Sequence, residues 1–449
     1  MALLNILKRK DSFGYMAQIF ASNVFILVLN MLTGIIVARY LGPEGRGEQA
    51  AMIMWPQLLS YIVTLGLPSS IVYYMKQKGS KQGSLYVASL WMCFTLGIFS
   101  MIGGLFFLPE WMKGYSPGKV EFACWALILI PFSLLGVINN AVLQAREEYQ
   151  LFNRIRYLPN IITLVLLGFM VISGHVNSFY SSVAYLAPTL PITLWTMIRL
   201  LRIYSIKQKD IIDSSKQLVQ YGIRSYGTDL AGTLSFYIDQ VLVVGLLSPA
   251  SLGIYLVALS LAKMLDVIQS SVVSVLFPQA SGLQREEAIR LTLKVYRIST
   301  VITLVFVAVV ILLAPYALLI LYGHSYEGAI PVFRVLVLST AVASATWTLA
   351  QGYMATDKPG RATLLKVLSL FMNALFINIF TPHMGIIGAA YSLLLSAFIN
   401  FLLILFLYSY EMKLKWSSFF YDKEDWIWMK EMLRNKGRRH KESSEAISG

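Results

Sequence analysis

The sequence predicts an all-α polytopic membrane protein with about twelve transmembrane helices. Of its 449 residues, 57% are hydrophobic and only 13% are charged, whereas a soluble globular protein carries about 25% charged residues. Apolar stretches of about 20 residues, the length of a helix that crosses a hydrocarbon core of about 30 Å, recur along nearly the whole chain. Lysine and arginine also concentrate in every second loop. These observations exclude a soluble globular protein and indicate a multi-pass protein of the cell membrane.

The first apolar stretch is interpreted as a helix and not as a cleaved signal peptide. It runs on to Val37 without a small-x-small cleavage site and is too long for a signal-peptide core. Cys93 and Cys124 both fall inside apolar stretches, where a thiol usually behaves as a small hydrophobe, and no metal or cofactor site is expected. The twelve predicted spans are about 15–40, 48–75, 84–108, 120–144, 156–174, 179–201, 217–247, 251–280, 295–322, 329–354, 362–382 and 384–409.

The orientation follows from the basic residues, which are retained on the cytoplasmic side of short loops. The opposite side carries only Arg39, Arg46, Lys113 and Lys119, so both termini are predicted to be cytoplasmic. The net charge of +14 is explained by basic residues beside an anionic leaflet, each worth about 1 kcal/mol, and no nucleic-acid partner is expected. The cytoplasmic groups are Lys8–Lys10, Lys76–Lys81, Arg146–Arg156, Arg202–Lys216, Arg285–Arg297, Lys358–Arg361 and the basic tail.

The polar segment ARYLGPEGRGEQA at 38–50 is predicted to be a tight outward-facing turn between the first two helices. It lacks the spacing of a phosphate-binding loop. Gly42 and Pro43 are expected to end the first helix, and Gly45 and Gly47 to permit positive φ in the connection.

A second copy of this turn indicates an internal repeat. VARYLGPEGRG at 37–47 aligns with VVGLLSPASLG at 243–253 at an offset of 206, and QAREEYQLFNR at 144–154 aligns with QGYMATDKPGR at 351–361 at an offset of 207. The repeat predicts two parallel six-helix halves, residues 1–205 and 206–410, around a central cavity. Residues 411–449 are predicted to be a basic cytoplasmic tail in which Trp426, Met429 and Leu433 have the spacing of an interfacial helix, the alternative being a partly disordered tail.

Three stretches carry a family resemblance: ARYLGPEGRGEQAAMIM with YIVTLGLPSSIVYY, NNAVLQAREEYQLFNR, and DQVLVVGLLSPASLGIYLVALSLAKMLDVIQSSVVSVLFPQAS at 239–281. They resemble the Wzx-type polysaccharide flippases, whose superfamily also holds the MATE exporters and the lipid II flippase MurJ. The resemblance covers the whole chain but contains no catalytic signature. It implies a non-enzymatic carrier that moves an isoprenyl-diphosphate-linked oligosaccharide from the cytoplasmic to the outer leaflet for surface polysaccharide synthesis. Membrane lipids and the enzymes of polysaccharide biosynthesis are the partners that this function implies.

An anionic headgroup requires fixed positive charge in a hydrated cavity, so ionisable residues inside the spans are the candidate site. Each has a structural alternative. Lys263 and Asp266 are close enough to pair with each other, Arg334 could extend to the interface, and Arg39 has the position of a rim residue. The substrate-binding candidates are Lys263, Arg334, Arg39, Arg224 and Asn30; the candidates for ion coupling or a structural ion pair are Asp239, Asp266 and Asp229.

Three other functions compete with the flippase. A MATE-like exporter of cationic molecules would favour acidic cavity residues over the mixed set in this sequence. A membrane polysaccharide polymerase or ligase would need a reactive outer face, and the longest outward loop, PEWMKGYSPGKVE, contains no His–acid or Ser–His arrangement. A non-transporting scaffold would leave the buried charges without a use.

Overall fold

A computed structural model describes residues 10–77, 81–204, 210–356 and 358–420, and its regular secondary structure is helical throughout these ranges. The helices follow one another with short connections, as expected where lipid cannot satisfy an exposed backbone. The proposed interfacial helix of the tail lies outside the described residues. In chain order the α-helices are α1 Lys10–Ile62, α2 Leu67–Met75, α3 Gln82–Trp111, α4 Pro117–Ala126, α5 Ile130–Ala145, α6 Tyr149–Ile172, α7 Ser178–Leu186, α8 Thr189–Tyr204, α9 Ile211–Leu246, α10 Pro249–Ala262, α11 Asp266–Ser281, α12 Arg285–Tyr322, α13 Ala329–Ala355 and α14 Pro359–Met412.

Eight helical stretches in the described residues are long and apolar enough to cross a membrane. One of them, Gly360–Met412, contains two of the predicted spans, and another, Ala21–Ile62, covers most of the first span and part of the second. The predicted spans at 217–247 and 251–280 are absent from these eight, and only the shorter apolar helices Tyr237–Leu246 and Pro249–Leu265 fall in them. The fold is therefore all-helical and polytopic, as predicted, while the count of twelve spans stays a prediction.

Two of the predicted inter-helix turns are kinks at a single glycine. The backbone at Gly42 has φ 66° and ψ −177°, and at Gly385 it has φ 63° and ψ −143°. A residue with a side chain rarely adopts such angles. After the first kink, α1 continues from Pro43, since proline is favoured in the first turn of a helix. The expectation of positive φ at Gly45 and Gly47 is wrong, because both lie in the helical conformation that follows the kink.

The predicted second and eighth helices are interrupted. Leu65 and Gly66 have φ of 47° and 71° and separate α1 from α2. In the eighth, a 3₁₀ turn at Lys263–Leu265 separates α10 from α11. Lys263 is the first residue of this turn and Asp266 is the first residue of α11, so both lie where the predicted continuous span 251–280 is broken. A 3₁₀ turn has three residues per turn, so side chains at i and i+3 lie on the same side.

The chain forms two compact units. The first contains residues 1–260, 315–332 and 377–389, and the second contains residues 261–314, 333–376 and 390–449. In the first unit α3 and α5 pack closely, and the hydroxyl of Tyr86 donates a 2.9 Å hydrogen bond to Asn139. In the second unit the core is built around Tyr353 and Tyr408, whose rings meet edge to face with centroids 4.8 Å apart.

Candidate functional site

The predicted cationic residues are distributed over both units. Arg39 lies in α1 three residues before the Gly42 kink, and Arg224 lies in α9; both are exposed and belong to the first unit. Arg334 is exposed in the first turns of α13, and Lys263 is half-buried in the 3₁₀ turn; both belong to the second unit. Asn30 is exposed on α1 of the first unit. Their assignment to one binding site stays a proposal.

Asp239 has a hydrogen-bond partner on a neighbouring helix. Its side chain is 4% exposed, and the hydroxyl of Tyr255, itself fully buried on α10, donates a 2.8 Å hydrogen bond to Oδ2. Oδ1 is buried and has no hydrogen-bond partner among the described residues. This hydrogen bond joins α9 to α10. The assignment of Asp239 to ion coupling or to a structural ion pair stays a prediction.

Lys263 and Asp266 lie close to each other. The Lys263 ammonium is close enough to act electrostatically on the Asp266 carboxyl, and the 3₁₀ turn places the two on the same side of the chain. Asp229 lies in α9, and its side chain is outside the described residues.

The outward turn and its predicted copy contact each other reciprocally within the first unit. A Cβ atom added to Gly47 would lie 1.7 Å from the Pro249 carbonyl oxygen, and one added to Gly253 would lie 1.9 Å from the Pro43 carbonyl oxygen. In the predicted repeat, Pro43 corresponds to Pro249 and Gly47 to Gly253. The same pair of contacts is thus made in both directions, as two-fold related segments do at their axis. A glycine is therefore needed at position 47 because the two backbones come close together, and not because its φ is unusual.

Polar contacts fix the first turn to its surroundings. Glu48 accepts from the Lys119 ammonium at 2.7 Å and from the Ser178 hydroxyl at 2.8 Å, which joins α1 to the first residues of α4 and α7. Farther along the chain, the buried hydroxyl of Tyr326 donates a 3.2 Å hydrogen bond to the Ala38 carbonyl. The segment 38–50 thus packs closely against residues 249–253, in turns that are predicted to face outward.

Two half-buried cations inside helices were not selected from the sequence. Arg156 was placed at the cytoplasmic end of the predicted span 156–174, but α6 begins at Tyr149 and places it two turns inside a helix. It donates a 2.9 Å hydrogen bond to Asn23 and lies 5.0 Å from the Phe152 ring centroid. Lys366, in α14 of the second unit, lies 5.3 Å from the Trp347 ring centroid. Both cations could have been selected from the sequence, because each is a basic residue at helical spacing from the residues of the adjoining apolar stretch.

No group of three or more potential metal-ligating side chains is found in the described part of the chain.

Comparisons with known proteins agree with this architecture. Residues 36–331 match the model of a family described as polysaccharide biosynthesis protein. The chain is 24% identical over 327 residues to the succinoglycan biosynthesis transport protein ExoT of Rhizobium meliloti (strain 1021), a match that covers 70% of this chain and 63% of that relative. The aligned part thus spans less than two thirds of the relative's length.

Solved structures show the same fold at low sequence identity. The lipid II flippase MurJ in its inward closed conformation matches with a TM-score of 0.74 and 16% identity over 89% of each chain. An inward-facing MATE-family multidrug resistance transporter of the MOP superfamily matches with a TM-score of 0.68 and 17% identity over 86% of this chain and 96% of that one. The family model covers well over half of the sequence, and this multi-pass membrane chain therefore belongs to the polysaccharide biosynthesis protein family, as the sequence resemblance indicated.

Proposed function

We propose that the protein is a transporter that carries a lipid-linked oligosaccharide from the cytoplasmic to the outer leaflet by alternating access. Membership of the polysaccharide biosynthesis protein family and the likeness to a succinoglycan biosynthesis transport protein support a glycan as cargo. The fold shared with a lipid II flippase supports a lipid-linked form of it.

The single observation that carries the proposal is the reciprocal contact between the turns at Gly47 and Gly253. A carrier that works by alternating access must close its binding site to one side of the membrane, and the contact that closes it must be able to separate as a unit. Backbone packs directly against backbone at the two glycines, which correspond in the predicted repeat. This contact closes the predicted outer end of the first unit, and no side chain interlocks across it.

Charge within the helices favours an anionic substrate over a cationic one. Arg156 is half-buried and has no carboxylate partner among the described residues, and a buried cation without a counter-ion is costly unless it serves a ligand. An isoprenyl diphosphate supplies that counter-ion. Lys263 and Arg334 are the corresponding candidates in the second unit.

Transport by purified protein tests the proposal. Vesicles that contain the full chain are loaded with lipid-linked oligosaccharides from the membranes of its own host, and inner-leaflet oligosaccharide that becomes accessible to an added impermeant oxidant is measured. We expect faster exposure than in protein-free vesicles. Equal rates, together with uptake of an organic cation such as ethidium, would replace the flippase by a MATE-like exporter.

A further inference from the structure

A cavity of about 280 Å³ lies within the first unit, among helices of the N-terminal half and α9. Ten of its nineteen lining residues carry a hydroxyl or an amide, and none of the described lining residues is acidic, basic or a histidine. The volume is near the lower end of the roughly 300–1,000 Å³ that is usual for small-molecule sites. Polar groups without a partner are costly between membrane helices. A cavity with this many polar side chains therefore differs from the apolar packing that is usual there.

Some of these polar groups are occupied by the protein and others are available to a ligand. Asn139 donates to the Thr193 carbonyl at 3.2 Å, and the Thr196 hydroxyl donates to the Ile192 carbonyl at 2.8 Å. Gln57, in contrast, is an exposed lining residue, and Ser133 and Thr189 are half-buried in the same lining. The cavity thus presents polar side chains that a ligand hydroxyl can reach.

Gly136 keeps the cavity open beside one of these hydroxyls. A Cβ atom at this position would lie 2.9 Å from the Thr193 Oγ1 atom, so any side chain would enter the space in front of Thr193. Two tyrosines, Tyr61 and Tyr237, supply aromatic surface in the same lining. Uncharged hydrogen-bonding groups with aromatic rings suit a sugar ring, whose edge carries hydroxyls and whose faces carry C–H groups.

Other ligand classes fit less well. A phosphate inside the cavity would find no cation among the lining residues, although cations are what phosphate recognition uses. An organic cation would find no carboxylate among the lining residues, and it would be repelled by Arg156, whose side chain lies near the lining residue Tyr61. Arg156 also follows the lining residue Ile155 in the chain. The cavity is therefore neutral inside and has a cation at its border.

We infer that this cavity binds the first sugar of the lipid-linked substrate while Arg156 binds the adjoining phosphate. The inference rests on the proposed function, because it assigns the two parts of that substrate to two neighbouring sets of residues. Arg156 and Ile155 lie on the predicted cytoplasmic half of their helix, where a substrate made in the cytoplasm would enter.

Binding of short synthetic lipids to the purified full chain tests this arrangement. The probes are farnesyl diphosphate and its conjugates with glucose, galactose and N-acetylglucosamine, each titrated against tryptophan fluorescence. At least one conjugate should bind about tenfold more tightly than farnesyl diphosphate alone. Gly136→Leu fills the cavity and should remove this difference, leaving the affinity for farnesyl diphosphate unchanged. The matched control is Gly103→Leu, because a Cβ atom at that exposed helical position has no neighbour within 4 Å.

Two milder variants keep the test valid if Gly136→Leu does not fold. Thr193→Val keeps the shape and removes one hydroxyl, which should weaken the preferred conjugate about three- to tenfold. Arg156→Gln should weaken the conjugates and farnesyl diphosphate alike.

Three results would overturn the inference, and one of them would also overturn the function. A sugar preference that survives both Gly136→Leu and Thr193→Val would place the sugar elsewhere and leave the flippase function intact. Equal binding of free methyl glycosides would assign the cavity to a soluble sugar. No binding of any diphosphate lipid would remove the inference and the proposed function together.

Discussion

Replacing Gly47 with alanine should force the two outward turns apart. The new Cβ atom would lie 1.7 Å from the Pro249 carbonyl oxygen, whereas ordinary van der Waals contact begins at 3.4 Å. The backbone must therefore move by roughly 1.7 Å, the difference between these distances. Overpacking of this kind costs about 1–3 kcal/mol. If the turns touch only in the outward-closed state, that cost shifts the population about 5- to 150-fold towards states in which they are separated.

A cysteine beneath the turn can report this shift. Ala51 is fully buried and lies one helical turn after Gly47, on the same face of α1. In a background without Cys93 and Cys124, Ala51→Cys is labelled from outside with an impermeant maleimide. Labelling should be 5- to 150-fold faster with Gly47→Ala, by the population argument above.

The reasoning also fixes the controls. Gly34→Ala introduces the same methyl group into the same helix where no atom lies within 4 Å, and it should leave the labelling rate unchanged. Gly253→Ala, whose Cβ atom would lie 1.9 Å from the Pro43 carbonyl oxygen, should reproduce the effect. Because one separation relieves both clashes, the double variant should label little faster than either single variant. An unchanged rate in Gly47→Ala at normal expression would refute the role of this contact.

The other predictions concern charge, stability and topology. Lys263→Gln should abolish most transport and Lys263→Arg should retain part of it; full transport by Lys263→Gln combined with Asp266→Asn would instead show that the lysine only balances the acid. Tyr255→Phe removes the donor to Asp239 and should lower the free energy of unfolding by about 1–3 kcal/mol. Thermal unfolding in detergent measures this change against the exposed control Tyr180→Phe, and equal stability of the two variants would contradict it. Cysteines at the exposed positions Ser116 and Ser325 should react with an impermeant thiol reagent in intact cells, and one at exposed Gln284 should not; the reverse pattern would overturn the orientation.

Local sequence features predicted most of the helices and the change of direction at Gly42. Apolar length places helices in all twelve predicted ranges, and Gly42 followed by Pro43 marks a change of direction because few other residues allow it. The role of Gly47 could not be read in the same way. Its function depends on Pro249, which lies some 200 positions away and becomes a neighbour only through tertiary packing.

The polar cavity shows the same limit on sequence inference. Asn140, Gly136 and Thr193 are isolated small or polar residues in apolar stretches, and no spacing shows that their helix faces converge on one cavity. Arg156 was missed for a different reason. The basic run at 146–156 predicts a cytoplasmic loop, but α6 begins at Tyr149 and carries part of that run into the helix.

The leaflet distribution of lipid-linked oligosaccharide in cells depleted of the protein tests the central claim most directly. Intact spheroplasts are treated with an impermeant glycan-oxidising reagent, and the modified fraction of the total extracted lipid-linked oligosaccharide is measured before and after depletion. A transporter of this substrate predicts that the total amount is maintained or rises while the externally modified fraction falls towards zero, with recovery on re-expression of the wild-type chain. An unchanged external fraction after complete depletion would contradict the claim that this protein moves the substrate across the membrane.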